Sequence, residues 1–418
     1  WPGSKAKYSE KLELPFKKDA FMPLFDVKEQ VVEQLNAYSR HEDSLPILGA
    51  QLKDEPRSYE KVLAAKTRVF CMSPYESTLV NRMYLMPFYS LMVEHGDIFS
   101  TSIGINMHST DVDELIHSLD NFSQDDSRFM EGDYSGYDTS MPYDIGLAAN
   151  TVVYNVLKSL GYSETALNYV RGILSDNLFP TIMMRGDLFA APALQPSGKY
   201  ATAEDNSLRG LIMLAYAWIA TCTPIGASAE PALSLTTKFS PEDFYKQLKC
   251  VIYGDDMLAA VKPSARLFFN NNTYQSFCRA VFGLDFTNAL KTLEMSDFLT
   301  LSQISFLKRS FVFREDLGHW VAPLDRASIM KSIVYYLPSK NVSREDQLVD
   351  SCVSALRELF FHTAAEDYED LRQTFIRRTC DALGVSEEVG KKFPRFDEIE
   401  RSVYGDTVPE DELNSSLL

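Results

Sequence analysis

Lys249-Cys250-Val251-Ile252-Tyr253-Gly254-Asp255-Asp256-Met257-Leu258-Ala259-Ala260-Val261 sets two apolar arms around a four-residue polar tip. The arms read as two strands and the tip as the tight turn between them, with Gly254 supplying the flexible backbone. Asp255 and Asp256 are adjacent carboxylates at a hairpin tip, and they repel each other. A fold that keeps both ionised usually puts a cation there. Gly-Asp is also ordinary turn chemistry, so an acidic surface turn and a metal site are both open on this stretch alone.

The surroundings of the hairpin alternate between helix and strand patterns. A helix is predicted near Pro241–Leu248 before it, and another near Asn271–Phe282 after it, stopped by Gly283. Upstream, Asp111–Leu119 reads as a short helix and Phe129–Asp133 as a strand ending in a polar turn. Pro142–Leu160 is helical, with Ile145, Ala149, Val153 and Leu157 on one side and Gly161 as the stop. A second helix covers about Ser163–Leu178. The loop Pro192–Tyr200 leads into a long apolar helix from about Ala201 to Ala220. Residues 298–323 read as short strands. The tail is helical, with Ser343 and Asp346 as a capping signature before an apolar stripe through Val349, Cys352 and Leu356. Residues 1–50 are only weakly periodic. Strands separated by helices, with acidic residues at strand ends, indicate an α+β organisation.

At 418 residues and 45% apolar content the chain has room for two or three domains. Its longest apolar run, Leu211–Ala220, is too short for a transmembrane segment. No charged-then-apolar leader opens it, and Trp1-Pro2-Gly3 begins abruptly, so it reads as a piece whose upstream part is missing. Cys71, Cys222, Cys250, Cys278, Cys352 and Cys380 form no CxxC pair, which argues against zinc or a disulfide framework and fits a reducing compartment. The net charge of −17 looks wrong for a nucleic-acid binder. From Asn341 to the end, however, 18 acidic residues face 9 basic ones, so about half the excess sits in the tail. Local patches therefore matter more than the total.

Five further elements can carry chemistry. In Asp133-Tyr134-Ser135-Gly136-Tyr137-Asp138, Asp133 ends a strand and Asp138 lies beyond a Gly-containing turn. Placed beside the hairpin, Asp133 and Asp255 can bridge two Mg²⁺ ions ~3.5–4 Å apart, as in an in-line displacement; two unrelated acidic turns are the bland alternative. In Pro196-Ser197-Gly198, backbone amides ahead of a helix can approach a phosphate. Thr202 and Asn206, four apart on one helix face, can bond a ribose hydroxyl, or they are polar residues in a plain first turn. Lys53, Arg57, Lys61, Lys66 and Arg68 can neutralise a triphosphate; with Asp54, Glu55 and Glu60 the stretch is only +2, which also suits a solvated charged face. Lys291, after the hairpin, can protonate departing pyrophosphate or is simply exposed. Phe306-Leu307-Lys308-Arg309 suits a grip on a nucleic-acid backbone, or a basic strand edge that guards against aggregation.

Together and in this order, the elements resemble an RNA-dependent RNA polymerase of a positive-strand RNA virus, in the picornavirus-like order. Lys53-Asp54-Glu55-Pro56-Arg57 with Lys66-Thr67-Arg68 is similar to motif F and Asp133–Asp138 to motif A. Pro196–Ser207 is similar to motif B, Tyr253–Asp256 to motif C, the Lys291 region to motif D and Phe306–Arg309 to motif E. The likeness runs from about Lys53 to Arg309. It implies a right-hand α+β polymerase fold. Fingers would occupy residues 1–84 with an insertion at 141–178, palm 85–140 and 179–324 as an antiparallel sheet with helices on one face, and a helical thumb 325–418.

The resemblance also implies roles. Asp133 and Asp255 would hold two Mg²⁺ ions, with Mn²⁺ as a substitute, and Asp256 would support them. Asp138 and Asn206, with Thr202, would sense the ribose 2′-hydroxyl, and Ser197 and Gly198 would form a mobile loop. Lys53, Lys66 and Arg68 would meet the triphosphate, while Arg57 and Lys61 line the channel. Tyr253, Gly254, Phe306, Lys308 and Arg309 would support the primer, and Lys291 would act on pyrophosphate. Template and product RNA, NTPs, a protein primer and other viral replication proteins are the implied partners. Membrane-associated replication complexes in the host cytoplasm are the implied location. Three features depart from the family pattern. Trp1-Pro2-Gly3 looks like the remains of motif G, Lys199-Tyr200 stand where smaller residues are common, and Thr221–Ser240 looks like extra length.

Two competing readings are weighed on the same residues. A reverse transcriptase shares a Tyr-x-Asp-Asp hairpin but excludes the 2′-hydroxyl with a bulky side chain, where Asp138 is a small acceptor. A non-catalytic scaffold with a decayed palm should lose its acidic ligands first, and Asp133, Asp255 and Asp256 are all present.

Overall fold

Alternation builds the first hairpin arm as expected: Leu248, Cys250 and Ile252 are buried, and Lys249, Val251 and Tyr253 are half-buried. The second arm is buried from Met257 to Val261, the pattern of a strand covered on both faces. The computed structural model describes residues 25–124, 128–223, 239–288, 294–339, 341–384 and 387–405. Its first eight strands are β1 (Ile47–Leu52), β2 (Val69–Met72), β3 (Phe129–Tyr134), β4 (Thr181–Met184), β5 (Asp187–Ala190), β6 (Leu248–Tyr253), β7 (Asp256–Val261) and β8 (Phe286–Thr287). A two-stranded ribbon follows, β9 (Val312–Arg314) and β10 (His319–Val321).

One four-stranded sheet runs β6-β7-β3-β8. β6 and β7 pair antiparallel with Tyr253 opposite Asp256, and β3 pairs antiparallel with β8, with Asp133 opposite Thr287. A Cβ on Gly132 of β3 would run into the Phe286 ring of β8, so only glycine lets the two strands close. The long helix Thr202–Cys222 covers this sheet, and its Trp218 is fully buried among Phe239, Phe244 and Phe269. The second sheet runs β2-β1-β4-β5; it is antiparallel except for the β1–β4 pair, which is parallel.

By contact the chain divides into two units, residues 1–104 with 130–298 and residues 105–129 with 299–418. Both sheets lie in the first. It also holds the helices Phe25–Ser39, Tyr75–Glu94, Tyr143–Ser159 and Glu164–Leu178, which share a core of Tyr38, Val80, Phe88, Val153 and Ile173. The second unit gathers the β9–β10 ribbon and the helices Arg344–Phe360, Ala365–Leu383 and Phe396–Tyr404 around Leu356, Phe360 and Tyr368, and the helix Asp111–Ser123 packs on β10. Ser343 caps its helix by accepting from the Asp346 N–H at 3.0 Å, as the sequence predicts.

Several elements differ from the sequence pattern, among them the helix Phe25–Ser39 in a weakly periodic stretch and the strands β4 and β5. Tyr75–Glu94 is a helix of 20 residues with Pro87 inside it. Its buried residues Val80, Leu85, Phe88, Tyr89 and Met92 share one face, but Met83, Met86 and Val93 are exposed on the other, so apolar residues on both sides blur the stripe. The predicted Asn271–Phe282 helix is α-helical only to Phe277 and widens into a π turn before Gly283. Among the described residues, no helix is long and apolar enough to cross a membrane.

Candidate active site

The hairpin tip is held from below. Gly254 takes φ +66°, which glycine adopts without strain, and its N–H donates to the Ser207 hydroxyl at 2.8 Å. Ser207 is fully buried on the helix Thr202–Cys222, and its own hydroxyl donates to the Ala203 carbonyl at 2.9 Å. Asp255 stands exposed at the tip, and Asp256, half-buried, begins β7. On the neighbouring strand β3, Asp133 is half-buried, and the Thr287 hydroxyl donates to its carbonyl at 3.2 Å.

Beyond β3, Gly136 at φ +68° turns the chain into the short helix Tyr137–Ser140, which carries Asp138. Burial pushes the Asp138 carboxyl up from its ordinary value, and the Asp255 charge adds to this. A hydrogen bond from Asn206 pulls the other way, as do the charges of Arg68 and Lys199. One carboxylate thus senses three other sequence elements at once: the hairpin, the Pro196–Ser207 stretch and the basic stretch. The Tyr137 hydroxyl donates to the Asn206 carbonyl at 2.8 Å, which fixes the helix against Asp138. Asn206 is 6% exposed, and its Oδ1 is buried without a hydrogen-bond partner. A buried acceptor left unpaired is costly unless a ligand donates to it.

The loop before that helix is sewn in. The Cys71 N–H of β2 donates to the Ser197 carbonyl at 2.8 Å, and the Gln195 N–H donates to the Asp138 carbonyl at 2.8 Å. Gly198 takes φ +109°, and any Cβ there would collide with the Cys71 carbonyl. The Thr202 hydroxyl donates to the Lys199 carbonyl at 2.8 Å, so part of its bonding capacity serves the loop.

The basic stretch extends the β1–β2 pairing, with the Lys53 N–H donating to the Arg68 carbonyl at 2.8 Å. Glu55 takes up charge from Arg57 at 2.8 Å and Arg68 at 3.6 Å. Lys53, Lys61, Lys66 and Arg68 remain exposed, and Arg57 is half-buried. Lys291 lies outside the described residues, as do residues 224–238 of the Thr221–Ser240 stretch and Trp1-Pro2-Gly3.

In the second unit, Phe306 and Arg309 bridge across a tight turn in which Leu307 and Lys308 both take positive φ. Phe306 is buried and Lys308 is the exposed tip. Arg309 is committed internally: its Nη1 and Nη2 donate to both Glu358 oxygens at 2.9 and 2.8 Å. Among the described residues, no group of three or more His, Cys, Asp or Glu side chains is gathered as a ready metal cage. The sequence reading missed Ser207, which the hairpin needs, and the buried partners of Lys199; neither leaves a periodic signal.

Residues 6–366 match the family model described as viral RNA-dependent RNA polymerase. The chain belongs to that viral RNA-dependent RNA polymerase family. It is 26% identical over 327 residues to the RNA1 polyprotein of Andean potato mottle virus, covering 78% of this chain and 42% of that polyprotein. It is 25% identical over 327 residues to the replicase polyprotein of Cricket paralysis virus, covering 77% of this chain and 18% of that one. The chain thus spans less than half the length of these curated relatives. A solved Sicinivirus 3Dpol RNA dependent RNA polymerase superposes with a TM-score of 0.69 at 17% identity, covering 91% of this chain and 73% of that chain. That likeness gives the fold, the right-hand polymerase architecture of mixed helices and antiparallel sheet expected from the sequence.

Proposed function

We propose that this chain catalyses template-directed RNA synthesis in viral genome replication, joining NTPs to an RNA 3′-hydroxyl with release of pyrophosphate. The observation that carries the reading is the convergence on Asp138 of Asp255, Asn206, Arg68 and the loop at Lys199. These are distant in sequence and have no reason to meet in a plain scaffold.

Asp133 and Asp255, with Asp256 in support, are the donors that would hold divalent metal. Their hard carboxylate oxygens suit Mg²⁺, with Mn²⁺ as a substitute. Such an ion keeps waters and takes substrate phosphates as further ligands. When bound, such ions neutralise charge at the attacking and leaving oxygens of an in-line displacement. The chain's own residues do the positioning. A ribose 2′-hydroxyl would donate to Asn206 Oδ1, the unpaired buried oxygen, with Asp138 beside it holding the Asn206 amide. Arg68, Lys53 and Lys66 meet the triphosphate, with Arg57 and Lys61 beside them. Ser197 and Gly198 set the loop against the nucleotide. Tyr253 and Gly254 at the tip support the primer strand, and family resemblance alone gives Lys308 that role. Lys291 protonates pyrophosphate on this reading, by family resemblance. Template and product RNA are the partners, joined by a protein primer and other replication proteins at membrane-associated complexes in the host cytoplasm; family likeness alone supports those last assignments.

The test is Mg²⁺-dependent primer extension on an RNA template by the wild type and by Asp255→Ala, with UTP and with dTTP. Extension with UTP by the wild type alone is expected. Equal extension by both proteins refutes the role of the hairpin, and a dTTP preference refutes the ribonucleotide reading.

A further inference from the structure

The helix Thr202–Cys222 buries a carboxylate between two cations. Asp205 is 4% exposed, and its Oδ2 accepts from Lys199 Nζ at 2.7 Å and from Gln195 Nε2 at 2.6 Å, with Arg209 Nη2 at 3.2 Å. The Lys199 and Arg209 side chains are themselves buried. Buried charges persist only when paired and hydrogen-bonded, and here the pairing is uneven, with two cations to one anion. Burial works against the Lys199 charge, while Asp205 and Asp138 support it. Burial also works against the Asp205 charge, yet Lys199 and Arg209 hold its carboxyl well below the usual range.

The surplus positive charge lies where Asp138 senses it. Asp138 is pressed by burial and by Asp255, and Lys199 is among the groups that relieve it. The same cluster fixes Asp138 mechanically, because the Gln195 side chain donates to Asp205 while its backbone N–H donates to the Asp138 carbonyl. Asn206, which bonds Asp138, is the next residue after Asp205. Lys199, which looked from sequence like an awkwardly large residue in a mobile loop, is therefore the fastener of that loop.

We propose that Lys199, held by Asp205, is a positioning residue for sugar selection: it keeps the Gln195–Lys199 turn where Asp138 orients Asn206 to accept from a ribose 2′-hydroxyl. This rests on the reading of the site given above. A site built to bond a hydroxyl discriminates strongly against the analogue lacking it, because buried polar groups are then left unpaired. Without Lys199 the turn keeps Gln195 and Arg209 on Asp205, so the fold survives, but Asp138 loses both a compensating charge and part of its anchor. Ribose recognition then weakens, and binding of a deoxyribonucleotide, which never used the 2′-hydroxyl acceptor, does not.

The experiment measures single-nucleotide incorporation of UTP and dUTP by the wild type, Lys199→Met, Lys199→Arg and Asp205→Asn. Lys199→Met is expected to narrow the UTP:dUTP ratio of kcat/KM about tenfold, a change of about 1.4 kcal/mol. The loss should appear as a raised KM for UTP, with dUTP values unchanged. Lys199→Arg should keep the ratio within threefold. Asp205→Asn should narrow the ratio as Lys199→Met does, with no further loss in the double variant, since the pair acts as one unit. An unchanged ratio in Lys199→Met, or equal losses with both nucleotides, overturns the proposal. Lys199→Gln, which keeps a donor for Asp205 and removes only the charge, serves the same purpose if the Met variant unfolds. If the wild type makes no product with any nucleotide, the polymerase reading falls by itself. Equilibrium binding of UTP and dUTP then decides the proposal: a ribose preference that Lys199→Met abolishes supports it, and no preference in the wild type, or the same preference in both proteins, overturns it.

Discussion

Replacing Ser207 by alanine removes the acceptor for the Gly254 N–H at the hairpin tip. Gly254 is buried, so its N–H has no water to turn to. Leaving a buried donor unpaired costs about 1–3 kcal/mol. The other bond of the Ser207 hydroxyl goes to the Ala203 carbonyl, which has its helix partner as well, so its loss adds little. The first unit has about 270 residues. At about 2.1 cal/mol/K per residue its unfolding entropy is roughly 0.6 kcal/mol/K, so the expected fall in Tm is about 2–5 °C. The functional effect should exceed the stability effect. The loosened turn carries Asp255, and small misplacement of a reacting group costs on the order of a hundredfold in rate. Ribose and phosphate contacts are untouched, so KM for NTP should stay within about threefold. Calorimetry and single-turnover primer extension read the two effects separately. A wild-type Tm refutes the bond energetics. A lowered Tm with unchanged kcat refutes the claim that this bond positions the tip.

Three further outcomes follow from particular contacts. Gly198→Ala places a side chain at φ +109° against the Cys71 carbonyl, so it should destabilise by about 2 kcal/mol and raise KM for NTP; a wild-type melt overturns this. Asp176 is buried, accepts from the Tyr38 hydroxyl at 2.6 Å, and is pushed up by burial to about 6. Its folded value lies above the unfolded one, so its stabilising effect is present at acid pH and is lost as pH rises through about 6. The first unit should gain on the order of 1 kcal/mol from this group between pH 7 and pH 5, and Asp176→Asn should abolish that gain in urea unfolding. Glu358 behaves in the opposite sense. Burial opposes its charge, but hydrogen bonds from His108 and Arg309 hold it at about 2, so its contribution is present above the ordinary Glu range and is lost as pH falls toward about 2. Glu358→Gln should cost about 3 kcal/mol at pH 7 and almost nothing at pH 2, measured by thermal melts at both.

The sequence was most legible where a residue's neighbours in space are also its neighbours in the chain. The hairpin arms, the helix Tyr143–Ser159 with its apolar side, and the Ser343 cap all follow from local pattern, and they fold as read. The order of acidic, polar and basic elements also carried the family. Residues whose partners come from elsewhere were not legible. Ser207 shows no distinguishing feature until Gly254 is brought over it, 47 positions later. Lys199, standing where smaller residues are common, is a local exception: its partner Asp205 is only six positions on, but no periodic pattern announces that this carboxylate turns inward to meet it. Arg309 read as a primer contact, yet Glu358, far along the chain, occupies both of its terminal nitrogens. The helix Tyr75–Glu94 was hidden for a different reason: it has one buried face, but Met83, Met86 and Val93 put apolar residues on its exposed face too, which erases the contrast an apolar stripe depends on.

The one parallel pair in the β2-β1-β4-β5 sheet has a consequence during synthesis. β1 finds β2 about 20 residues later, but its other edge waits for β4, about 130 residues downstream. At roughly 5–20 residues per second, that edge stays bare for on the order of ten seconds while the chain between is being made. An open strand edge is a template for pairing with other chains. Ribosomes spaced closely on one message would present several such edges together. The chain's yield in cells should therefore respond to translation speed through residues 53–180, independently of how stable the finished protein is.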